Sequence, residues 1–327
     1  MRESTFIKKN LQRWKKYQEQ PAEDPDEMAE RFTSILDDLA YAKTFYSFSK
    51  VTTYINSLAA GIYHSIYGNR KEKDHRFRNF FVYELPLLFR KYHRLFLFTF
   101  LFFLLFCIIS AFSAAHDETF VRGVLGDEYV SMTEQNINNG DPFGVYKQEN
   151  ELTMFLWIAR NNITVAMITF VSGITLGIGT LWYMMKNAVM LGAFQYYFFS
   201  KGLGFKSVLV IWIHGTLEIS AIVIAGCAGL VMVSGLLFPG TRKRLDALKK
   251  TARDGVKIVI TLMPVFIVAA FLEGFVTRHT AMPLWASFSI LLVSLVFIVG
   301  YFIVYPIYLH NKGYKLGPKA EIIKPER

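Results

Sequence analysis

Charged residues and cysteines are both scarce in this sequence. Asp, Glu, Lys and Arg together make up 19% of the 327 residues, fewer than a soluble protein normally needs to cover its surface. The two cysteines, Cys107 and Cys227, both lie in apolar runs, so the sequence indicates neither a disulfide framework nor a CxxC pair. We expect both thiols to act as small apolar side chains.

The short motifs of common enzyme classes are also missing. The sequence contains no HExxH zinc motif, serine elbow, Walker A loop or dinucleotide fingerprint. No nucleic-acid-binding motif accompanies the formal net charge of +10. We therefore attribute the basic residues to the borders of membrane segments and expect no nucleic-acid partner.

Apolar residues are abundant and are gathered in long uncharged runs. Hydrophobic residues make up 53% of the chain and aromatic residues 16%. A run of about 20 apolar residues is long enough to cross a bilayer as a helix. The fold class is therefore predicted to be all-α, a polytopic membrane protein. We expect no cleavable signal peptide, because the first apolar run begins only near residue 95.

The first 75 residues predict a cytoplasmic domain of amphipathic helices. Residues 1–20 have a basic face and an apolar face, so this helix either lies on anionic lipid or packs on the helices that follow. Two further amphipathic stretches predict a helical hairpin. Residues 76–94 predict an interfacial elbow helix, bent at Pro86, that leads into the membrane.

The transmembrane domain is predicted at residues 95–309, with six apolar segments. These are 95–115, 163–185, 187–200, 207–238, 258–276 and 284–305. Segment 187–200 is short, so it either crosses as a short span or forms a re-entrant hairpin with the next segment. An acidic loop at 116–151 and a basic loop at 241–257 then set the orientation. With the basic tail at 310–327, they predict a bacterial inner-membrane protein with both termini in the cytoplasm.

One group of ionisable residues lies inside these apolar segments. His214 and Glu218 are four residues apart, so they share one side of a helix, with Gly215 between them. Each such residue costs about 2.5–3.5 kcal/mol on insertion, which makes a functional role the default hypothesis. The alternative is a pair that satisfies itself and only holds helices together. Glu273 either joins the pair or reaches to the membrane interface, and we favour the interface.

A metal site is not expected from this pattern. A catalytic zinc ion normally has three protein ligands, and one His with one Glu supplies two. The third ligand would have to be Glu273. The sequence therefore predicts no catalytic residue, no bound metal and no cofactor.

Small residues are concentrated in the same segments. Four glycines are predicted to let helices approach closely: Gly173, Gly177, Gly226 and Gly229. A second interpretation is that glycines permit broken helices around a binding site.

Three stretches of the chain resemble the stage II sporulation protein M family. They are RESTFIKKNLQRWKKYQE, YINSLAAGIYHSIY and HGTLEISAIVIAGCAGL, and the last, with His214, Gly215 and Glu218, is the most specific. The resemblance covers about residues 1–305 and is to the longer members found outside spore formers. It implies a multispan membrane fold, membrane-protein partners and an associated AAA-type ATPase system, with no established catalytic residue.

Taken together, these features predict a non-enzymatic membrane component or scaffold of an envelope-related complex. Its expected partners are membrane lipids, other membrane proteins and a second copy of the chain, as a homodimer. Two alternatives stay open: a transporter or ion-conducting protein that uses His214 and Glu218, and an intramembrane metal-dependent hydrolase. A sealed apolar surrounding of Glu218 would favour the scaffold, whereas a wet cavity open to one side would favour transport or catalysis.

Overall fold

The computed structural model confirms the predicted all-α polytopic fold class. It describes the chain except for residues 21, 23, 68–75, 145–149, 279–281, 318–321 and 324–327. The predicted domain boundary near residue 75 and much of the predicted basic tail therefore lie outside the described residues. The chain divides into two compact units, Met1–Arg76 and Phe77–Arg327.

The first unit contains three helices around its own apolar core. They are α1 (Glu3–Glu19), α2 (Pro25–Phe45) and α3 (Lys50–Tyr67). The indole of Trp14, 1% exposed, donates from Nε1 to Oδ2 of Asp38 at 2.8 Å. Ile35 and Ile55 are fully buried beside it. Helix α1 therefore packs on α2 and α3, which decides between the two interpretations of residues 1–20.

The second unit begins with short helices and continues with long apolar ones. In chain order they are α4 (Arg76–Asn79), a π-helical turn (Phe80–Glu84), α5 (Leu85–Lys91), α6 (His93–His116), α7 (Glu118–Leu125), α8 (Asp127–Asn138), α9 (Glu151–Val171), a 3₁₀ turn (Ser172–Ile174), α10 (Ile178–Ser200), α11 (Gly204–Leu237), α12 (Arg244–Ile260), α13 (Met263–Phe271), a π-helical turn (Leu272–Thr277), α14 (Leu284–Val299), a π-helical turn (Gly300–Val304) and α15 (Tyr305–Asn311). Two short strands, β1 (Lys315–Leu316) and β2 (Ile322–Ile323), pair antiparallel after α15.

Contacts at the two ends of this unit give the direction of each helix. Near the start of α6, Lys91 and Tyr92 both donate to Oδ2 of Asp254 on α12, at 2.6 and 2.7 Å. We call this the α12 end. At the opposite end, Lys201, just after α10, donates to Oε1 of Glu134 on α8 at 3.2 Å. We call that the α7–α8 end. The long helices run alternately between the two ends.

Five stretches among the described residues are long and apolar enough to cross a membrane. They are His93–His116, Glu151–Ile174, Gly204–Leu237, Arg244–Thr277 and Leu284–Asn311. Helix α10 has 23 residues and is not among the five, since it carries Lys186, Asn187 and Gln195. These apolar helices identify a membrane protein.

The predicted division of residues 163–200 is wrong. The sequence places one span at 163–185 and a short segment at 187–200, whereas the chain turns at 172–177 between α9 and α10. Gly177 adopts a left-handed conformation, with φ of 85°, which glycine adopts without steric cost. The Thr175 hydroxyl then accepts from the N–H of Gly179 at 2.8 Å. The turn is as apolar as its flanks, so hydropathy gave no sign of it.

The predicted loops on either side of the membrane segments also contain helices. Residues 116–151 include α7 and α8, and most of 241–257 belongs to α12. Helix α12 buries Ala247, Asp254 and Gly255 and packs along α11, where Thr251 donates to the carbonyl of Met232 at 2.8 Å. Its exposed residues include Arg244, Lys249 and Arg253, whereas Lys257 donates to Glu84.

Candidate functional site

A cavity of about 780 Å³ lies at the α7–α8 end of the second unit. Helices α9, α10 and α11 supply most of its wall, and Val124, Leu125 and Tyr129 of α7 and α8 form its cover. Its lining includes one imidazole and two carboxyl groups, those of His214, Glu218 and Glu273. The ionisable pair predicted on α11 therefore faces a cavity and not a sealed apolar surrounding.

The three ionisable side chains converge on one point. One nitrogen of His214 and one carboxylate oxygen each from Glu218 and Glu273 lie within 4.8 Å of one another. Nε2 of His214 is 3.8 Å from Oε2 of Glu273. The histidine is 4% exposed, and both glutamates are half-buried. We refer to these three residues as the trio.

Glu273 joins His214 and Glu218, which is the alternative that the sequence did not favour. It lies in the π-helical turn Leu272–Thr277, a wider turn than an α-helix and one often found at functional sites. The same turn carries Thr277, whose Oγ1 is 3.1 Å from Nδ1 of His214. One local irregularity therefore brings both a carboxylate and a hydroxyl to the histidine.

The contact with Thr277 favours Nδ1 of His214 as the protonated ring nitrogen. The Thr277 hydroxyl donates its hydrogen to the carbonyl of Leu272 at 3.1 Å, so towards the imidazole it acts as an acceptor. Nδ1 of His214 is then the donor. In the neutral ring, the lone pair of Nε2 is left facing the carboxylates. The trio is thus a set of acceptors directed at a shared space.

Asn162 is a fourth polar residue of the site, which the sequence analysis does not single out. It lies on α9 in the cavity wall and is 5% exposed. Its side chain interacts with Glu218, but among the described residues its Nδ2 has no acceptor within hydrogen-bonding distance. The signal in the sequence is a polar run, Arg160 to Asn162, inside an apolar segment.

Two other polar residues of the membrane segments do not join the trio. Asn187 donates from Nδ2 to the carbonyl of Tyr183 at 2.8 Å. Gln195 donates to Oγ of Ser207 at 2.9 Å and accepts from Nε1 of Trp212 at 2.8 Å. Both amides therefore satisfy hydrogen bonds within and between α10 and α11.

The glycines have different roles at different positions. A Cβ on Gly173 would lie 2.3 Å from the carbonyl oxygen of Gly229, and one on Gly226 would lie 2.1 Å from Sδ of Met184. These residues sit at close helix crossings, whereas Gly177 forms the turn before α10. Gly215 differs, since a Cβ there would meet no atom within 4 Å; it leaves space in the cavity wall.

The described surroundings of the cavity differ between its two sides. Its wall reaches the surface at Trp157, whose side chain is 67% exposed. Beyond Glu218, towards the α12 end, α11 continues with Ala221, Ile224 and Ala225, which are fully buried. In the cover, burial raises the pKa of Tyr129 to about 12, so this phenol is neutral at physiological pH. Among the described residues of the wall, the strongly exposed side chain of Trp157 therefore lies on the α7–α8 side of the trio.

The helices and the cavity define a polytopic α-helical membrane protein with a buried cluster of ionisable residues. The sequence profile of the stage II sporulation protein M family matches residues 99–278, more than half of the chain, and the chain belongs to that family. A second profile, a domain of unknown function (DUF8413), matches residues 4–68.

A relative from Methanocaldococcus jannaschii, described as an uncharacterized protein, is 26% identical over 164 residues. The alignment covers 48% of this chain and 70% of that protein. No solved structure matches the chain.

Proposed function

We propose that this protein carries a cation across the membrane, with His214, Glu218 and Glu273 as its binding site. The supporting observation is a cavity near the α7–α8 end whose wall includes the trio, with fully buried α11 residues beyond Glu218 towards the α12 end. Ionisable residues within membrane helices normally mark ion or substrate pathways. A binding site open to one side is the geometry of a carrier that exposes its site alternately to the two faces.

The charge distribution supports an orientation for this carrier. Helix α12 is rich in Lys and Arg, and positively charged segments that flank membrane helices stay in the cytoplasm. On this basis the α12 end faces the cytoplasm of the bacterial inner membrane, and both termini lie on that side. The cavity then takes up its cation from the external side.

Flux into proteoliposomes tests the proposal. Vesicles that contain the wild-type protein and a pH-sensitive or metal-sensitive dye receive a proton gradient or an external divalent cation. We expect wild-type flux above that of protein-free vesicles and at least a tenfold loss in Glu218→Gln. Glu128→Gln, which changes an exposed glutamate of α8, is the matched control and should keep wild-type flux. Wild-type flux equal to that of empty vesicles, for protons and divalent cations alike, would reject the carrier.

A scaffold role is the second candidate, and the first unit supports it. Met1–Arg76 has its own core, and a separate family profile matches it. Two aromatic side chains at the turn after α2, Phe45 and Phe48, are 61% and 104% exposed. An exposed apolar group of this kind suits a protein partner, such as a second copy of the chain or an associated AAA-type ATPase.

The oligomeric state in a gentle detergent tests the scaffold. We expect a homodimer by light scattering, and cross-links between copies that the double variant Phe45→Ser/Phe48→Ser weakens. A solitary monomer at all protein concentrations would count against this role.

A further inference from the structure

We infer that the trio binds one divalent transition-metal ion of the series from Mn²⁺ to Zn²⁺. This inference deepens the proposed function, because it rests on the same site and names the chemical class of the cation. The observation that motivates it is the convergence of three acceptor atoms, from His214, Glu218 and Glu273, within 4.8 Å of one another.

The distances between the three candidate ligand atoms would suit a metal centre if the atoms moved slightly closer together. Zinc binds imidazole nitrogen and carboxylate oxygen at about 2.0–2.2 Å, so tetrahedral ligand atoms lie about 3.4 Å apart. Nε2 of His214 and Oε2 of Glu273 are already 3.8 Å apart. Rotation of the glutamate side chains is the movement that would have to close the remaining distance. The helix itself holds His214 and Glu218 one turn apart.

The histidine is held as a metal ligand normally is. Metal-binding imidazoles usually donate their second ring N–H to a neighbouring acceptor, which fixes the tautomer and the ring orientation. Thr277 provides that acceptor at 3.1 Å, and its own hydrogen is committed to the carbonyl of Leu272. The other ring nitrogen, Nε2, is the one that lies 3.8 Å from Oε2 of Glu273.

Asn162 is a further polar residue of the cavity wall, and its side chain interacts with Glu218. Its Nδ2 is a donor in a residue that is 5% exposed, and it has no acceptor among the described residues. A buried donor normally has a partner. A water or hydroxide on the metal, or a substrate oxygen beside it, would supply one. Three protein ligands leave at least one coordination position on the metal free. The trio lines the 780 Å³ cavity, which has room for a further ligand.

The ligand set selects the kind of ion. Two carboxylates and one imidazole combine ligands that suit Mn²⁺, Fe²⁺, Co²⁺ and Zn²⁺. Ca²⁺ takes six to eight oxygen ligands and Mg²⁺ prefers oxygen in an octahedron, so one imidazole and two carboxylates suit neither. The two negative charges of the glutamates also match the charge of a divalent ion.

Metal binding to the full-length protein in detergent tests the inference. The protein is stripped with a chelator and dialysed against Zn²⁺, and its zinc content and affinity are then measured. We expect about one ion per chain in the wild type. Glu218→Gln, Glu273→Gln and His214→Gln should each weaken binding by at least tenfold. His116→Gln, at an exposed histidine after the first span, and Glu128→Gln should bind as the wild type does.

Two further measurements keep the test valid if one variant folds poorly. Co²⁺ bound to the wild type should give visible absorption bands of a four- or five-coordinate ion, and Zn²⁺ should displace it. Zn²⁺ should also raise the Tm of the wild type and of His116→Gln, but not that of Glu218→Gln. A wild type that binds no more Zn²⁺ than the trio variants, and shows no Co²⁺ spectrum, would overturn the inference in favour of a shared proton.

This result is separable from the flux experiment. Stoichiometric zinc without flux of any cation would support the metal site and reject the carrier. Proton flux that depends on Glu218, without zinc binding, would support the carrier and reject the metal site.

Discussion

Oγ1 of Thr277 lies 3.1 Å from Nδ1 of His214, within hydrogen-bonding distance, and this contact joins two membrane segments that are 63 residues apart in the chain. The contact depends on the π-helical turn Leu272–Thr277, which places Thr277 and Glu273 on the same side of the histidine. The orientation of one ring is thus controlled by a local irregularity in another helix.

Loss of the Thr277 hydroxyl should weaken metal binding without removing a ligand. Removal of such an outer hydrogen-bond partner typically costs 10–100-fold in metal affinity. We therefore expect Thr277→Val to bind Zn²⁺ about 10–100-fold more weakly, and Thr277→Ser to bind nearly as the wild type does. Competition with a zinc-sensitive dye measures both. Equal losses in the two variants would show that packing at this position matters and the hydroxyl does not.

Gly173 and Gly215 should respond in opposite ways to a single added methyl group. At Gly173 the new Cβ would lie 2.3 Å from the carbonyl oxygen of Gly229, whereas at Gly215 it meets nothing within 4 Å. We expect Gly173→Ala to destabilise the protein by about 1–3 kcal/mol through overpacking. Gly215→Ala should be neutral or stabilising by up to about 1 kcal/mol. Thermal unfolding in detergent measures the pair, and equal Tm values would refute the assigned crossing of α9 and α11.

Asp38 should be needed for the packing of α1. Its carboxylate accepts from Nε1 of the buried Trp14 and from the half-exposed Arg13. Removal of the carboxylate leaves the indole N–H without a partner, which costs about 1–3 kcal/mol. In Asp38→Ala we expect amide exchange in α1 to rise about 5- to 150-fold. Asp37→Ala changes the exposed neighbour and should leave exchange unchanged. The same protection in both variants would contradict the assigned contact.

Helix α7 should lose its first turn in acid. The Asp117 carboxylate accepts from the hydroxyl and then from the backbone N–H of Thr119, and these bonds hold its pKa below the ordinary value of 3.8. A carboxyl with a lowered pKa stabilises the fold fully above its ordinary pKa, and this contribution is lost as the pH falls through the lowered one. The protection of the amides in Glu118–Leu125, relative to their intrinsic exchange rate at each pH, should therefore fall below about pH 4.

Asp117→Asn is the matched control for this pH dependence. Asparagine caps a helix about as well as aspartate does, but it carries no titratable group in this range. We expect α7 of this variant to keep its protection at low pH. A parallel increase of exchange in both proteins would assign the acid response to another group.

The sequence predicts the helical membrane fold and half of the site because both depend on local spacing. Apolar runs reveal helices such as α6, and an i, i+4 spacing places His214 and Glu218 on one face. The turn at 172–177 stayed hidden, since its residues are as apolar as the helices around it. Glu273 joins through contacts between distant segments and a π-helical turn, neither of which has a local signal.

Asn162 shows a further limit of local patterns. A polar residue within an apolar segment has several ordinary explanations, and only the position of α9 against α11 shows which neighbours it meets. Gly215 illustrates the same limit of local sequence patterns. In the sequence it is a glycine within an apolar helix, as the crossing glycines of α11 are. In the structure a Cβ at this position would meet no atom within 4 Å.

Helix α11 is longer than the membrane it crosses. Its 34 residues extend about 51 Å, against about 30 Å of hydrocarbon, and His214 lies about 15 Å from its first residue. If the excess is divided equally between the two ends of an upright helix, the imidazole lies only about 5 Å below the lipid headgroups. An ion that enters the cavity would then lose its hydration shell within about one helical turn of the headgroup region. Most of the low-dielectric hydrocarbon that the ion must cross would lie beyond the site.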